Sequence, residues 1–501
     1  MPTVTQELVQ PSTYLQLNRP ELILSTAFIG GKRIPADGGK TWAVNNPATG
    51  ELIAEVSNCS AKEAEGAVTA ASAAFPDWKG RLARERSAIL KRWFNLMVDN
   101  QEDLARLISL EQGKPMPESR GEVLYSAGYV EWFAEEAKRA YGEVIPENAH
   151  GRKLIVVKEP VGVVATITPW NFPLAMLARK VAPAVAAGCT VVSKPDAATP
   201  LSALAFAALS IEAGLPTGVF NVVPTSREHD AEVAGVWLKS SVVRKVSFTG
   251  STAVGKHLMR ESADTLKKLS LELGGNAPFI VFDDADLDAA VTGAIAAKFR
   301  NSGQTCVCAN RLLVQDTIYD TFAQKLAVAV AKLRVAPASQ PDAEQGPLIH
   351  SRALAKVEDH LADAIAHGAK VLIGGHRHSL GHNFFEPTVL TEVTPAMKIT
   401  REETFGPVAP LYRFHDEAEA IALANDSQFG LAAYFYARDI GRVWRIAAAI
   451  EAGMVGINEG ILSTEVAPFG GVKESGFGRE GARQGLDEYL NLKYLCMGGL
   501  K

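Results

Sequence analysis

The sequence predicts an α/β protein with a doubly wound parallel sheet followed by a second α/β domain. Strand-like and helix-like segments alternate at short spacing between residues 153 and 249, and a second cycle of the same kind runs from residue 278 to residue 458. Such alternation is typical of parallel sheets covered by helices. The length of 501 residues exceeds one ordinary domain and suggests roughly two to four of them.

The N-terminal part of the chain is predicted to contain a tail, short strands and a long helical region. Residues 1–25 lack periodicity and are expected to form a loose tail. A strand and turn are predicted at Phe28–Arg33, and a turn between two strands at Asn46–Glu51. From residue 61 to about 140, apolar residues recur at helical spacing, which predicts amphipathic helices.

The first sheet is predicted from the segments that follow. Lys153–Pro160 alternates between apolar and polar residues, and Val161–Ile167 has the apolar composition of a buried strand. Helices and strands then alternate in the order helix 175–187, strand 190–193, helix 201–212, strand 219–223, helix 230–238 and strand 245–249.

The second sheet and the C-terminus show similar patterns. Strands are predicted at 278–282, 312–314, 370–373 and 454–458, and helices beginning at Leu287, Tyr319, Arg352 and Glu417. The last stretch, Leu490–Cys496, alternates and is strand-like. A terminal strand needs a partner strand, either within its own chain or across a subunit boundary. The two alternatives are comparably supported by the sequence.

Composition and charge exclude several classes of function. A formal net charge of −5 without any long basic run argues against nucleic acid or an anionic membrane as a partner. The N-terminus does not have the pattern of a signal peptide, and no apolar run approaches 18 residues. Five scattered cysteines without a CxxC pair or a zinc-type cluster predict a reducing, cytoplasmic location and no metal site.

A single thiol is the first candidate for chemistry. Cys306 follows Gly303 among small polar residues, in the stretch Asn301–Arg311. A reactive thiol needs backbone freedom, nearby hydrogen-bond donors and access to solvent. The alternative is that Cys306 is an inert, buried, small hydrophobe.

Three further segments contain residue types that suit a cofactor-dependent reaction at a thiol. Phe248–Lys256 runs from a strand into a helix with GxxxxG spacing, which suits phosphate binding at a helix N-terminus. Asn171, between two prolines, can donate to an oxyanion or simply cap a helix. Glu272, in an apolar segment before Gly274 and Gly275, can act as a general base or form a salt bridge at a helix end.

Seven motifs occur in a fixed order along the chain. They are Pro169–Asn171, Ser193–Pro195, Phe248–Gly255, Glu272–Gly275, Gly303–Cys306, Glu403–Pro407 and Pro468–Gly471. With these motifs the chain resembles the NAD(P)-dependent aldehyde dehydrogenases over essentially its whole length. The segment Cys306–Arg311 further resembles the succinate-semialdehyde dehydrogenase branch.

The resemblance implies a role for each matching residue. Cys306 is expected to attack the aldehyde as a thiolate, while Asn171 and the Cys306 backbone N–H hold the oxyanion. Glu272 is expected to activate water for hydrolysis of the thioester, and Lys180 to support the site. The resemblance also implies eleven cofactor-binding residues, namely Thr168, Pro169, Trp170, Lys194, Ala197, Gly250, Ser251, Val254, Leu273, Glu403 and Phe405.

The same resemblance implies a division into domains and an assembly. The dinucleotide-binding domain is expected to comprise residues 26–142 and 162–272, and the catalytic domain residues 273–475. Residues 143–161 and 485–501 are expected to form a small β arm for oligomerisation, giving a homodimer or homotetramer.

Three residues suggest that the substrate carries a carboxylate. Arg179 lies in an otherwise apolar helix, Arg300 precedes Cys306 by six residues, and Ser463 matches a serine that the branch uses on the carboxylate. An arginine in an apolar helix needs a partner, and a carboxylate is a natural bidentate one. The alternative is an internal pair with Glu or Asp. We expect succinate semialdehyde as substrate, with glutarate semialdehyde or a broader aldehyde range as alternatives.

Two further positions bear on the choice of cofactor and on the redox chemistry of Cys306. In relatives that prefer NAD, an acidic residue accepts hydrogen bonds from the ribose 2′-OH, and Ala197 occupies that position. NADP is therefore favoured over NAD, with Arg227 as a candidate phosphate ligand or a plain surface residue. Cys308 lies two residues after Cys306, so it is either a redox partner that blocks the nucleophile or an inert thiol.

Overall fold

The computed structural model describes residues 16–500, and its first half is dominated by one eight-stranded sheet. The strands up to residue 272 are β1 (Ala27–Ile29), β2 (Lys32–Ile34), β3 (Thr41–Asn45), β4 (Leu52–Ser57), β5 (Glu143–Ile145), β6 (Lys153–Pro160), β7 (Val163–Ile167), β8 (Thr190–Lys194), β9 (Phe220–Val222), β10 (Val243–Thr249) and β11 (Lys268–Glu272). The helices of this half are α1 (Ala61–Gly80), α2 (Ala83–Asp99), α3 (Gln101–Gln112), α4 (Met116–Glu136), α5 (Ala175–Ala187), α6 (Leu201–Glu212), α7 (Asp230–Lys239) and α8 (Thr252–Glu261).

The core of this sheet is parallel and doubly wound, which confirms the predicted fold class. Strands β9, β8, β7, β10 and β11 are parallel neighbours, extended at one edge by antiparallel β1 and β2. In the register, Ile167 of β7 lies beside Phe248 of β10, and Thr249 lies beside Glu272 of β11. The loops that leave these strands therefore share one carboxyl edge, where ligands of such sheets bind.

A seven-stranded sheet dominates the second half. The remaining strands are β12 (Ala277–Val281), β13 (Ala309–Gln315), β14 (Lys370–Ile373), β15 (Thr388–Thr391), β16 (Val408–Phe414), β17 (Phe429–Gly430), β18 (Ala432–Tyr436), β19 (Met454–Ile457), β20 (Val472–Lys473), β21 (Gly476–Phe477) and β22 (Leu490–Met497). The remaining helices are α9 (Leu287–Phe299), α10 (Tyr319–Val330), α11 (Ser351–Ala366), α12 (Lys398–Arg401), α13 (Glu417–Asn425), α14 (Ile440–Ala449) and α15 (Ala482–Asp487).

The two sheets meet end to end where the chain passes from one to the other. The order of the second sheet is β14-β15-β16-β13-β12-β18-β19, and all of its pairs except β14–β15 are parallel. Only four residues separate the end of β11 from the start of β12, and Ala277 pairs with Ala309 at the start of β13. The carboxyl edge of the first sheet thus faces the amino edge of the second, and Cys306 lies just before β13.

The C-terminal strand finds its partner within its own chain. Strand β22 pairs antiparallel with β6 over eight residue pairs, from Leu490 opposite Pro160 to Met497 opposite Lys153. Strand β5 pairs on the other side of β6, which makes a three-stranded sheet. Of the two alternatives left open by the sequence, pairing within the chain is the one observed.

The predicted loose tail is wrong from residue 17 onwards. Leu17, Leu22 and Leu24 are buried, and the backbone N–H groups of Asn18 and Arg19 donate to the carboxylate of Asp103 at 2.7 and 2.8 Å. Apolar residues without helical or strand periodicity pack here as irregular chain, which a periodicity argument does not detect. Residues 1–15, where the rest of that prediction falls, lie outside the described residues.

No helix in the part of the chain that the structure describes is long and apolar enough to cross a membrane.

Candidate active site

The loop that carries Cys306 has an unusual backbone. Asn301, Ser302 and Gly303 are consecutive residues with positive φ angles of 51°, 57° and 74°, a conformation that costs about 1–2 kcal/mol for each residue that has a Cβ. A Cβ on Gly303 would lie only 2.2 Å from the carbonyl oxygen of Gly406. Glycine is therefore required at this position, and the turn directs the chain towards Cys306.

Cys306 lies where two cavities meet. One cavity of about 260 Å³ and a second of about 410 Å³ are both lined by Cys306 and Asn171. Burial raises the pKa of the Cys306 thiol to about 12, with the charge of Arg179 opposing this rise. This raised pKa favours the neutral thiol in the free protein, whereas the sequence analysis predicts a thiolate as the attacking form.

Asn171 lies in the loop after β7, next to the loop of Cys306. Its Nδ2 donates to the backbone carbonyl of Gln304 at 3.0 Å, which leaves its second Nδ2 hydrogen available. The backbone N–H of Cys306 has no acceptor among residues 16–500. Two donors beside the thiol form the arrangement expected of an oxyanion site.

Glu272 ends strand β11 with a buried carboxyl group. Within the described residues neither carboxyl oxygen has a hydrogen-bond partner. Burial, and secondarily the charge of Glu480, raises the pKa of Glu272 well above its usual value, while Arg179 and Lys180 oppose the rise. The alternative of a salt bridge at a helix end is wrong, because Glu272 lies at a strand end and makes no ion pair in the described chain. A carboxyl group of this kind suits a general base that works near neutral pH.

Arg179 and Lys180 share one acidic partner, Glu480, which the sequence analysis did not identify. The Nε of Arg179 and the Nζ of Lys180 each contact a carboxyl oxygen of Glu480, and all three side chains are buried. The alternative of an internal ion pair for Arg179 is therefore observed. A signal for it existed, since two adjacent buried cations require a nearby acid.

Arg179 nevertheless keeps donors free for a ligand. Its Nη1 and Nη2 are buried and have no hydrogen-bond partner in the described part of the chain. Its guanidinium lies 4.5 Å from the ring centre of Phe469, and both residues line the 260 Å³ cavity with Cys306. Buried donors without acceptors are rare and mark places where a ligand completes the structure.

Arg300 and Ser463 line the same cavity as Cys306. Arg300 makes no ion pair with any described residue, and its guanidinium lies 5.5 Å from the ring centre of Phe172. The structure therefore brings all three predicted substrate residues to one cavity. The acidic residues Glu118 and Glu122 of α4 also line it, and the sequence analysis missed both.

The 410 Å³ cavity collects most of the predicted cofactor residues. Those that line it are Pro169, Trp170, Gly250, Ser251, Leu273, Glu403 and Phe405. Helix α8 begins after Ser251, whose side chain accepts from the N–H of Val254. Arg227, Arg352 and Lys356 add positive charge to the walls. A helix N-terminus with basic side chains around a cavity that reaches the thiol fits a dinucleotide.

The other four predicted cofactor residues do not line this cavity. The Nζ of Lys194 pairs with Asp230 at 2.6 Å, and the carbonyl of Ala197 accepts from the indole of Trp42. Thr168 is buried at the end of β7, and Val254 is exposed on α8. Their roles in cofactor binding stay predictions.

Cys308 lies apart from the cavities. Its thiol is buried, accepts from the Nζ of Lys298 at 3.3 Å and donates to the Lys298 carbonyl at 3.4 Å. Both Cys306 and Cys308 are free thiols in the structure. A disulfide between them would require Cys308 to leave these contacts.

Comparisons with known proteins agree with this geometry. The family model for the aldehyde dehydrogenase family matches residues 34–495. A glutarate-semialdehyde dehydrogenase of Pseudomonas aeruginosa is 56% identical over 97% of this chain and 100% of that protein. A succinate-semialdehyde dehydrogenase [NADP(+)] of Escherichia coli is 56% identical over 97% of this chain and 100% of that protein. The crystal structure of a succinate-semialdehyde dehydrogenase from Burkholderia pseudomallei superimposes with a TM-score of 0.95, at 56% identity over 96% of this chain and 99% of that one.

Proposed function

This chain belongs to the aldehyde dehydrogenase family, and from that membership we propose that it oxidises a semialdehyde bearing a carboxylate, with succinate semialdehyde as the preferred substrate. The observation that carries the proposal is the cavity at Cys306, in which Arg179 has two donors without partners among the described residues. A carboxylate accepts bidentate hydrogen bonds from such a planar group. Arg300 and Ser463 line the same cavity and would complete the site.

The reaction follows from the residues around the thiol. Cys306 adds to the aldehyde carbon as its thiol proton passes to Glu272, which returns it to solvent before the hydrolytic step, and the resulting oxyanion is held by Asn171 and the Cys306 backbone N–H. The residues that line the 410 Å³ cavity would hold a nicotinamide cofactor, which would supply the hydride acceptor for the reacting carbon. The thioester left on Cys306 is then hydrolysed by water that has lost a proton to Glu272. Arg179 and Lys180 oppose the rise in the pKa of Glu272, which helps it to be available as a base.

Glutarate semialdehyde is the second candidate substrate. The Pseudomonas aeruginosa relative is named for that compound, which is one methylene longer than succinate semialdehyde. A pocket distinguishes one methylene only by about 1–3 kcal/mol, or 10–200-fold. We therefore expect measurable activity on both compounds, with a larger kcat/KM for succinate semialdehyde.

We infer that the cofactor is NADP, with NAD also accepted. Ala197 lacks the carboxylate that would bind a ribose 2′-OH and repel a 2′-phosphate, and Arg227 brings a positive charge to the cavity. The Escherichia coli relative is named for NADP(+). Steady-state kinetics with each cofactor test this inference, and a strong preference for NAD would refute it.

We further propose a cytoplasmic homodimer or homotetramer. The low number of scattered cysteines supports a reducing compartment. Exposed apolar side chains on the three-stranded sheet support self-association.

The substrate proposal is tested with Arg300→Ala and two aldehydes. The loss of a hydrogen-bonded charge costs about 1.5–3 kcal/mol, so kcat/KM for succinate semialdehyde should fall by about 10–100-fold or more. The kcat/KM for butanal, which has no carboxylate, should change by less than about threefold. Arg300→Lys keeps the positive charge but lacks the bidentate guanidinium, and it should give an intermediate loss of kcat/KM for succinate semialdehyde. Equal losses on both aldehydes would show that Arg300 does not recognise the carboxylate.

A further inference from the structure

Helix α4 presents two acidic side chains, one turn apart, to the loops of the active site. The carboxylate of Glu122 is completely buried, and its Oε1 accepts from the backbone N–H groups of Leu174 and Ala175 at 3.0 and 3.2 Å. Its Oε2 pairs with the Nζ of Lys114 at 2.6 Å. One carboxylate therefore joins the start of α5 to a buried lysine.

Lys114 connects Glu122 to the loop after β7, which carries Asn171. Its Nζ donates to the backbone carbonyl of Asn171 at 2.9 Å and lies 3.7 Å from the ring centre of Phe172. Burial lowers the pKa of Lys114, and the charge of Glu122 opposes this shift. Because a buried ion pair is often no more stable than an apolar replacement, stability alone does not explain this pair.

Glu118 makes the corresponding contact with the nucleophile loop. Its two carboxyl oxygens accept from the backbone N–H of Asn301 at 3.1 and 3.0 Å. The side-chain Nδ2 of Asn301 in turn donates to the Asn171 carbonyl at 2.9 Å. The Asn171 carbonyl is thus held from two sides, and the contacts form a closed ring that begins and ends on α4.

We propose that Lys114, Glu118 and Glu122, together called the α4 clamp, are positioning residues that set the Nδ2 group of Asn171 relative to Cys306. The proposal rests on the oxyanion role proposed for Asn171, and it holds for any aldehyde that the enzyme oxidises. The clamp contacts the backbone of Asn171, while the oxyanion would contact the side chain. Small displacements of an oxyanion donor are costly, since a shift of about 1 Å can reduce a rate about 100-fold.

The first test replaces the ion pair as a unit. The double variant Lys114→Met/Glu122→Gln removes both charges, keeps an acceptor for Leu174 and Ala175, and removes the donor to Asn171 together with the ammonium over the Phe172 ring. We expect kcat to fall by about 10–100-fold on succinate semialdehyde and on butanal alike, with KM for the cofactor unchanged. Glu131→Gln, at an exposed position on the same helix, is the matched control and should leave kcat unchanged.

The decisive measurement repeats the double variant in an Asn171→Ala background. If the clamp acts through Asn171, the double variant should lower kcat by less than about a further twofold in the Asn171→Ala background, where the Nδ2 group is already absent. Additive losses would overturn the proposal and assign the pair a general structural role. The substrate proposal is tested separately, because it concerns the ratio of kcat/KM for succinate semialdehyde to kcat/KM for butanal. Loss of the clamp should lower kcat on both aldehydes by the same factor.

Glu118 gives a second route if the double variant does not fold. Glu118→Ala removes a half-buried carboxylate from the other side of the ring, and it should lower kcat on both aldehydes in the wild-type background only. Glu118→Gln keeps an acceptor for Asn301 and should recover most of the lost activity. A Glu118→Ala enzyme with unchanged kcat, or an equal loss in both backgrounds, would contradict the proposal.

Discussion

The proposed nucleophile, Cys306, is a half-buried thiol whose raised pKa is opposed by two cations, Arg179 and Arg300. Burial opposes ionisation more strongly than Arg179 favours it, so the pKa of Cys306 rises to about 12. A neutral thiol is a weak nucleophile, so the free enzyme should be alkylated slowly at neutral pH. The proposed oxyanion donor Asn171 and the proposed base Glu272 would act only once substrate is bound.

The ionisation state of Cys306 predicts how the free enzyme reacts with iodoacetamide. Only the thiolate reacts, and below the pKa its fraction rises about tenfold for each pH unit. Because the pKa is raised, the alkylation rate of the cofactor-free enzyme should keep rising between pH 7 and pH 10 without a plateau. Mass spectrometry of the Cys306 peptide measures the rate, and Cys306→Ser provides the unlabelled control. A plateau near pH 7 would show that the free enzyme holds a thiolate.

Replacement of Glu272 by glutamine should separate the two halves of the reaction. The amide of Glu272→Gln fits the same buried space but cannot accept a proton, so hydride transfer should continue while hydrolysis of the thioester slows by about 100–10,000-fold. A single burst of reduced cofactor and an acylated Cys306, detected by mass spectrometry, are expected. If steady-state turnover were unchanged and no acyl-enzyme accumulated, another group would have to be the base.

Cys308 is predicted to serve as a redox partner of Cys306 only when its contacts with Lys298 are broken. Mild peroxide should inactivate the wild-type enzyme, and a thiol reductant should restore its activity. In Cys308→Ala, the oxidised Cys306 has no neighbouring thiol and should proceed to irreversible forms. Recovery of activity after peroxide treatment is the measurement. Equal recovery of the two proteins would assign Cys308 an inert role.

Residues of the candidate site were predictable from the sequence when their neighbours along the chain made them unusual. Arg179 attracted attention because it interrupts an apolar helix, and the residue does line the cavity at Cys306. Glu480 was not identified, because its contacts with Arg179 and Lys180 join residues about 300 positions apart. The same limit applies to Asp230, which pairs with Lys194. Adjacent cations in an apolar helix indicate that an acid lies nearby, but a long-range ion pair depends on tertiary structure and leaves no local pattern that identifies which acid it is.

Secondary-structure elements were predictable where their periodicity or composition was distinct. Helices α5 and α6 agree with prediction at both ends, because apolar helical segments are bounded by proline or glycine. Strands β15, β16 and β18 were missed. They are almost completely buried, so their residues do not alternate between apolar and polar.

The turn before Cys306 offers a test at the scale of one element. Gly303→Ala places a Cβ at φ +74° and 2.2 Å from the Gly406 carbonyl. We expect the free energy of unfolding to fall by about 2 kcal/mol or more, since the left-handed conformation alone costs about 1–2 kcal/mol. Aldehyde oxidation should fall with it, because the loop has to shift.

Gly368 provides the matched control for this turn. It has φ +101°, but a Cβ there would meet no atom within 4 Å. Gly368→Ala should therefore lower the free energy of unfolding only by the cost of the left-handed backbone conformation, and it should leave kcat unchanged. Denaturant unfolding and steady-state kinetics measure both variants. If the two alanine variants behaved alike, the contact with Gly406 would not be what requires a glycine at residue 303.

The arrangement of the whole molecule explains why residues from distant segments meet at Cys306. The carboxyl edge of the first sheet supplies Asn171 and Glu272, and the amino edge of the second supplies Cys306. The short connection from β11 to β12 keeps these edges together, and Gly275 in it allows close approach, since a Cβ there would lie 2.4 Å from the Cys306 carbonyl. The alternation of strands and helices predicted both sheets, but not their relative placement.

The three-stranded sheet of β5, β6 and β22 leads to a prediction about assembly. Leu492 and Tyr494 are 72% and 57% exposed, and a small sheet depends on a packed hydrophobic face for its stability. Exposed apolar patches of this kind mark interaction sites, so Leu492→Asp/Tyr494→Asp should convert the oligomer to a monomer in size-exclusion chromatography with light scattering. Lys493→Ala, which breaks only the surface pair with Glu159, should leave the oligomer intact. A wild-type monomer, or an oligomer that survives the double substitution, would show that this sheet is not the interface.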